Sequence, residues 1–595
     1  MPLIEYSTQI NRTLAGSPLD PAEFYNKTAS DARYAPISNS AGVFSVLDYG
    51  AAADGLTDDL AAFRAAMAAC SSAGGGVVLV PPGDYALSVG ISLATQYIDV
   101  PANCTVRMHG ATITATAIAG QTGYYVFRIS GSTTTNVTLD GGVLILDRTS
   151  GDLSGETGFG VAIRSGANDV RVLDMTISDS FGDAIYLGGS TPVANVEIRG
   201  CKLRNCRRNN LSIVHAAGVL VADCEFTDAN GTSPQAGVDI EPNEGYTITD
   251  VQIINCYTTG NAGAGLNIIS GVAGRTAGVA ATRRIAVANC IGIDNTGWAI
   301  NVGSVDEITI TGCVANGNIG GIAATDIRQG TIANCVAKTN DGYGIYVESA
   351  LSVAVSGNSA HGNGSDGFRL RGDAAGGDVA FERCTVTGNT ASGNTQRGLY
   401  IMNAIGCTVA ANVAAENGYD GMRFDNCLHN AISGNLSAGN GSAAASTYYG
   451  ILLAASSDNM VRGNAIRHST RYLSATATAG SDTTITFPNS GDVSALNDWY
   501  NGLEIKISSG TGSGQTRTIS DYVGSTRVAT VSVDWTTNPD ATSVFEVRNA
   551  TRIYRSLYFN STSNRNWYVD NDCRYAAAIL DSGTGNVTTA GNITS

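Results

Sequence analysis

The chain has 595 residues, 72 of them glycine, with 43% hydrophobic and only 14% charged residues. Its 35 basic and 51 acidic residues leave a net charge of −16, which argues against nucleic acid as the main partner. The hydrophobic share excludes wholesale disorder, and no apolar run reaches the ~18 residues of a membrane span.

In chain order, residues 1–42 form a polar arm whose start, MPLIEYSTQINRT, lacks a basic stretch followed by an apolar one, so no secretory signal is expected. Residues 44–86 follow a different pattern. Thr57 and Asp58 are placed to cap a helix near residues 58–71, with Leu60, Phe63 and Met67 on one face. A glycine triplet ends it, and VVLVP reads as the strand of a first coil. An amphipathic helix at that place plugs the open apolar end of a solenoid.

The solenoid itself is written in the repeats. Cys201, Cys224, Cys256, Cys290, Cys313, Cys335 and Cys384 each follow a short alternating apolar run, as in VEIRGC and VQIINC. Asn358, Asn412, Asn435 and Asn464 take the same place later. The thirteen cysteines therefore mark a repeat of 22 to 34 residues rather than a disulfide plan. Between these slots lie segments of the form Gly, apolar, variable, apolar: GVDI at 237–240, GLNI at 265–268, GIYV at 344–347, GFRL at 367–370, GLYI at 398–401 and GMRF at 421–424. Alternation of period 2 makes each a strand with one face inward, and two or three strands per repeat make a parallel β-helix. Inward Asn or Cys slots then stack along the axis. A propeller is disfavoured, because no WD-like or kelch-like signature is present.

The register stops after Arg467. Residues 472–548 are Thr- and Val-rich with Gly/Ser turns and read as a small inserted antiparallel β module, in which Trp499, Tyr500 and Trp535 are core more readily than a sugar-stacking surface. Residues 549–595 return to strand character, which suits closure of the solenoid or trimerisation. The expected organisation is thus an arm (1–42), a β-helix (43–471), a β module (472–548) and a closing segment (549–595).

The string from Asp48 through Tyr85 resembles the opening segment of the pectate-lyase-like right-handed β-helices, a superfamily of phage tailspikes, polysaccharide lyases, glycosidases and alginate epimerases. FYNKTASDARYAP at 24–36 resembles segments that phage tail fibres place ahead of their receptor-binding regions. The resemblance implies a bacteriophage tailspike: a homotrimer in the virion, joined to a tail or baseplate protein through the arm and acting on a bacterial surface polysaccharide. Assembly in a reducing cytoplasm suits free thiols. No nucleic acid, membrane, metal or cofactor is expected. The NTD, GHG and RIK strings of polygalacturonases and the DPHE string of alginate epimerases are absent, as are HExxH, Walker and dinucleotide motifs.

Stacking the repeats turns outward positions into columns about 4.8 Å apart per coil. One column runs Tyr186, Ser212, Asp239, Asn267, Asn301, Ala323, Tyr346, Arg369, Tyr400, Arg423; the next runs Gly188, Val214, Glu241, Ile269, Gly303, Thr325, Glu348, Arg371, Met402, Asp425. Tyr faces stack on sugars and Arg forks onto sugar carboxylates or sulfates. Tyr186, Ser212, Asn267, Tyr346, Glu348, Arg369, Arg371, Tyr400 and Arg423 are therefore the expected glycan contacts. Glu348 and Asp425 among the arginines also fit a salt-bridge ladder, and Asp366 and Asp420 read as turn formers.

Within SPQAGVDIEPN, Asp239 and Glu241 stand at i and i+2 of one strand and are the expected acid and base or nucleophile of a glycosidase, with His215 one coil earlier as base, tuner or sugar contact. Solvated surface charge is the plain alternative. The expected activity is endo-acting glycosidic hydrolysis. The competing reading is a lyase, with Tyr186 or His215 removing the proton beside a uronate carboxylate. A spike that binds without cleaving is a third, and a secreted bacterial enzyme a fourth.

Overall fold

In a computed structural model the protein is described over residues 42–149, 155–276, 278–373, 380–443, 447–467, 473–490, 493–548, 555–573, 579–588 and 591–593. The expectation for the N-terminal arm lies outside these residues.

The chain winds as a parallel β-helix whose strands, among the described residues, fall into one 33-stranded and one 16-stranded sheet. A typical coil has three strands, such as Leu211–Ile213, Ala216–Ala222 and Glu225–Thr227, stacked in register on Val238–Ile240, Ile248–Ile254 and Tyr257–Thr259. In later coils the first two strands run together, as in Gly320–Ala333 followed by Val336–Lys338. Alternate Val, Ile and Leu side chains point inward and form one continuous core.

At the ladder corners a residue with positive φ turns the chain and the next residue, an Asn or Cys, drops into the core. Gly312 precedes Cys313, Asn334 precedes Cys335 and Gly357 precedes Asn358. Asn and Gly tolerate the left-handed conformation, which explains their frequency at these places. The inward side chains form ladders. Cys335 N–H donates to Asn358 Oδ1 at 2.9 Å, and the line continues through Asn389, Asn412, Asn435 and Asn464 to Asn571. Cys384 does not belong to this line. The coil beginning at Phe368 carries a separate short strand, Phe381–Glu382, ahead of Thr385–Thr387, and Cys384 at the corner between them starts a separate ladder with Cys407, Asn430 and Asn459. A further ladder at the opposite corner, from Asn261 through Asn295, Asn318, Asn340, Asn363, Asn394 and Asn417 to Asn440, was not expected. All thirteen cysteines are buried and free.

The capping helix, α1, runs Leu60–Ser72 and buries Leu60, Phe63, Met67 and Cys70. Its N-cap is Asp59 rather than Thr57 or Asp58, because those two end the preceding strand, Asp54–Asp58. Asp58 Oδ1 still accepts the first helical N–H, from Leu60, at 3.1 Å.

After Ala465–Arg467 the chain leaves the solenoid for an antiparallel sheet of seven strands between Leu473 and Arg548. This module has its own core, in which Tyr500 and Trp535 are buried and Trp499 packs against them half-exposed. The chain then returns: Tyr558 pairs with Leu452 and Tyr568 with Val461, so the described residues beyond 555 stack as further coils.

Candidate functional site

Strand pairing puts the first outward column in register: Tyr186 beside Ser212, then Asp239, Asn267, Asn301, Ala323, Tyr346, Arg369, Tyr400 and Arg423. The second column holds from Ile269 through Gly303, Thr325, Glu348, Arg371 and Met402 to Asp425. Two groups of polar side chains gather along it.

The first centres on Asp239, which is 3% exposed. Its Oδ1 accepts from Asn267 Nδ2 at 2.8 Å and its Oδ2 from Asn209 Nδ2 at 3.2 Å. Asn301 Nδ2 donates to Asn267 Oδ1 at 2.8 Å, which fixes the Asn267 amide with its donor toward Asp239. Burial raises the Asp239 carboxyl to about 6, with the nearby Glu241 charge adding to the rise and the amide donors opposing it. The strand ends at Ile240, so Glu241 stands at the first turn position instead of within the strand. Its N–H still bonds Ile213 O at 3.1 Å, and its half-buried side chain leans over the backbone of Gly271, one coil on.

Ser212 has no exposed surface and Asn267 almost none, which corrects both from glycan contacts to parts of this network. The reason is local: Asn209 Nδ2 donates to Ser212 Oγ at 3.0 Å beneath Asp239. His215 stacks on Tyr246 with ring centroids 4.3 Å apart, and its Nδ1 lies 2.9 Å from Gly189 O. A carbonyl only accepts, so Nδ1 carries the proton and Nε2 of the neutral ring is a base. Tyr186 closes an aromatic stack, Tyr125, Phe159 and Tyr186, whose last two rings are 4.6 Å apart. Burial raises its phenol, so it stays protonated.

Sequence reasoning missed Asp183. It lies three residues before Tyr186, at a corner, and is fully buried. Burial raises its carboxyl to about 7 against the opposing charge of Arg208, with Asp239 adding to the rise. The signal was present in the spacing: Asp366 and Asp420 lie three residues before Arg369 and Arg423 in the same way.

The second group lies farther along the same face. Tyr346 donates its hydroxyl to Glu348, which also takes Arg371 Nε at 2.7 Å. Tyr400 donates to Asp425 Oδ2 at 2.6 Å, and Arg423 Nε lies 3.0 Å from Asp425. Asp366 and Asp420 do brace turns, accepting the N–H of Arg397 at 3.0 Å and of Tyr449 at 2.7 Å. They are also buried partners of Arg397, 3.5 and 3.7 Å away. Arg397 stacks over Tyr400 and Tyr419, and Arg369 over Tyr343 and Tyr400. Arg397, Tyr343 and Tyr419 had escaped notice because they precede the strands. Arg369, Arg371, Arg397 and Arg423 thus face Glu348, Asp366, Asp420 and Asp425, so each guanidinium already has a carboxylate within 4 Å. The arrangement offers ring faces and oriented polar groups, with no surplus of positive charge.

Among the described residues no group of three or more His, Cys, Asp or Glu is placed to hold a metal ion, and no helix is long and apolar enough to cross a membrane.

A family model described as right handed beta helix region matches residues 90–276 and 236–393, together more than half of the chain. A model for the periplasmic copper-binding protein NosD matches residues 379–498. Among curated proteins, the chain is 30% identical over 233 residues to the uncharacterized protein YclG of Bacillus subtilis (35% of this chain, 39% of that one). It is 32% identical over 164 residues to the SPbeta prophage-derived uncharacterized protein YorA of the same organism (24% and 28%), and 28% identical over 221 residues to mannuronan C5-epimerase AlgE2 of Azotobacter vinelandii (32% and 21%). The match spans at most 39% of the length of these relatives. Among solved structures, the A-module of Azotobacter vinelandii AlgE6 is similar with a TM-score of 0.49 at 18% identity, covering 58% of this chain and 93% of that one. The tailspike protein of E. coli bacteriophage HK620 in complex with pentasaccharide gives a TM-score of 0.44 at 13% identity, covering 86% and 94%.

Proposed function

The chain belongs to the right-handed β-helix family, and on that premise we propose that it is a phage tailspike that binds a bacterial surface polysaccharide along its outward columns and cleaves it by glycosidic hydrolysis. The observation that carries this reading is the buried Asp239 carboxyl, raised to about 6, beside the half-exposed Glu241. Hydrolysis of a glycoside needs one carboxyl that keeps its proton to assist the leaving oxygen and another that is ionised. Asp239 is the acid and Glu241 the base or nucleophile. His215, with Nε2 free of the Gly189 contact, orients a sugar hydroxyl or the attacking water. The rings of Tyr346 and Tyr400, with the paired Arg369, Arg371 and Arg423 and with Glu348, bind the glycan farther along. The relation to a mannuronan-acting epimerase and to a prophage-derived protein supports a glycan substrate and a phage setting. Trimer assembly, attachment to a tail through residues 1–42 and location in the virion belong to the same proposal.

The second reading is a lyase acting on a uronate. The basic Nε2 of His215 favours it, whereas the protonated phenol of Tyr186 does not serve as a base. Product analysis decides. The protein is incubated with purified capsule and lipopolysaccharide from candidate hosts, and the fragments are weighed and scanned in the near-ultraviolet. Fragments with plain reducing ends support hydrolysis, and unsaturated ends support the lyase. Asp239→Asn and Glu241→Gln should each abolish cleavage while binding survives. If wild type and both variants bind alike and none cleaves, the chain is a binding spike and the proposal is wrong.

A further inference from the structure

The arginines of the second group would suggest an acidic glycan, yet their surroundings argue against one. Three lines of residues run in register along five coils. One stands just before the strands, from Tyr343 through Asp366, Arg397 and Asp420 to Tyr449. The other two are the columns from Tyr346 to Leu452 and from Glu348 to Ala454. At about 4.8 Å per coil the face is about 19 Å long, room for several sugars.

Within 4 Å, Arg369 has Asp366 and Arg371 has Glu348, while Arg397 stands between Asp366 and Asp420, and Arg423 between Asp420 and Asp425. The guanidinium planes are engaged as well. Arg397 lies 4.3 Å over the Tyr400 ring, and Arg369 lies 5.2 and 5.1 Å over Tyr343 and Tyr400. An anion brought to any of these guanidinium groups comes about as close to a carboxylate, so attraction and repulsion cancel while desolvation still opposes binding. A sugar hydroxyl has no such difficulty, since it donates to the carboxylate and accepts from the arginine of one pair.

The balance does not depend on which pairs are chosen. Residues 341–454 hold five arginines, no lysine and nine Asp or Glu, and the fifth arginine, Arg383, pairs with Glu382 at 3.2 Å. Arg164, at the far end of the second column, has no carboxylate within 4 Å among the described residues. It lies beyond Asp239 and Glu241, where it donates to the Tyr125 hydroxyl and leans on the Tyr186 ring.

We infer that the glycan lying on this face is uncharged, a polymer of neutral sugars without carboxylate, sulfate or phosphate. A charge recurring in each short repeat would have to lie somewhere on the five coils. The inference rests on the reading that a glycan lies along the columns, and not on which bond Asp239 cleaves. A glycan without uronate cannot undergo the elimination that the lyase reading requires.

The test uses the full-length protein and two kinds of probe. From a set of purified surface polysaccharides, neutral and acidic, it should bind neutral ones, with affinity changing less than about twofold between about 0.05 and 0.5 M NaCl. Binding of acidic polymers, weakened by salt, overturns the inference and leaves the glycan reading standing. Binding of none removes the glycan reading and the inference with it. The second probe is polymannuronate, a plain polyuronate. The Glu348→Gln/Asp425→Asn double variant relieves Arg371 of its carboxylate and Arg423 of the nearer of its two. It should bind polymannuronate at least about tenfold more tightly than wild type at about 0.05 M NaCl and release it at about 0.5 M. Equal binding by wild type and a folded double variant overturns the inference, because the acids would then not be what keeps anions away. Should the double variant fail to fold, Glu348→Gln alone carries the same readout.

Discussion

Replacing one ladder asparagine by alanine isolates what holds the coils in register. Asn417 is fully buried. Its Oδ1 accepts the backbone N–H of Asn394 at 3.1 Å and Asn394 Nδ2 at 2.9 Å. Its Nδ2 donates to Ala391 O at 3.1 Å and to Asn440 Oδ1 at 2.7 Å. In Asn417→Ala, Asn394 Nδ2 keeps Ala360 O, and Asn440 Oδ1 keeps the backbone N–H of residue 417. The Asn394 N–H keeps no partner. An orphaned buried donor costs about 1–3 kcal/mol and each of the three other lost bonds about 0.5–1.5, which together put the loss at about 2.5–7.5 kcal/mol. Cysteine should cost less, because Cys407 Sγ already accepts the Cys384 N–H at 3.4 Å in the neighbouring ladder. Contacts in a solenoid are made between adjacent coils, so the damage should be local. Hydrogen exchange at the Asn394 amide reads it directly: protection should fall by at least a hundredfold in Asn417→Ala and less in Asn417→Cys. Unchanged protection at Asn394 would refute the reasoning.

Three further outcomes follow from the same structure. Asp183 and Asp239 both rise on folding from 3.8, to about 7 and about 6. The folded protein therefore binds more protons than the unfolded chain between these values and loses that stabilisation as pH rises through 6 and 7. Thermal melting should occur at higher temperature at pH 5 than at pH 8, and the Asp183→Asn/Asp239→Asn double variant should lose this contribution. Arg397→Ala removes the partner that the buried Asp366 and Asp420 share and leaves each with one arginine, Arg369 at 3.3 Å and Arg423 at 3.8 Å, at a cost of about 1–3 kcal/mol near neutral pH. The cost should shrink at acid pH, where protonation discharges both carboxyls; a pH-independent loss in urea titrations would contradict the pairing. Because residues 473–548 have a core separate from the solenoid, replacing them with a short linker should leave the melting of the β-helix within a few degrees of wild type. Loss of the cooperative β-helix transition would show that the two cores depend on each other.

The sequence made the solenoid legible because period 2 and the Gly, apolar, variable, apolar segments report the inward face directly. The outward columns from Tyr186 to Arg423 follow from that alignment and pair in register. What stayed hidden was mostly in the corners. The ladder from Asn261 to Asn440 is written in asparagines that look like ordinary turn composition, and only stacking shows that they point inward. Cys384 looks like another copy of the Cys201 slot, since an extra corner does not change the local string. Burial at the site was equally invisible. An outward column position implies solvent, yet Ser212 is covered and Asp239 nearly so by neighbours from adjacent coils. Asp183 could have been found by extending the columns three residues back. The other two rings of the stack that ends at Tyr186, Tyr125 and Phe159, lie in earlier coils that carry no clear copy of the repeat.

The central claim is that a buried, protonated Asp239 cleaves a glycan held along the columns. Its most direct test follows chain length of a purified surface polysaccharide from a host that the protein binds, comparing wild type with Asp239→Asn at about pH 5 to pH 8. Wild type should shorten the polymer at the acid end of that range, more slowly as pH rises through about 6, while Asp239→Asn binds it and leaves its length unchanged. Cleavage by Asp239→Asn at the wild-type rate would contradict the account.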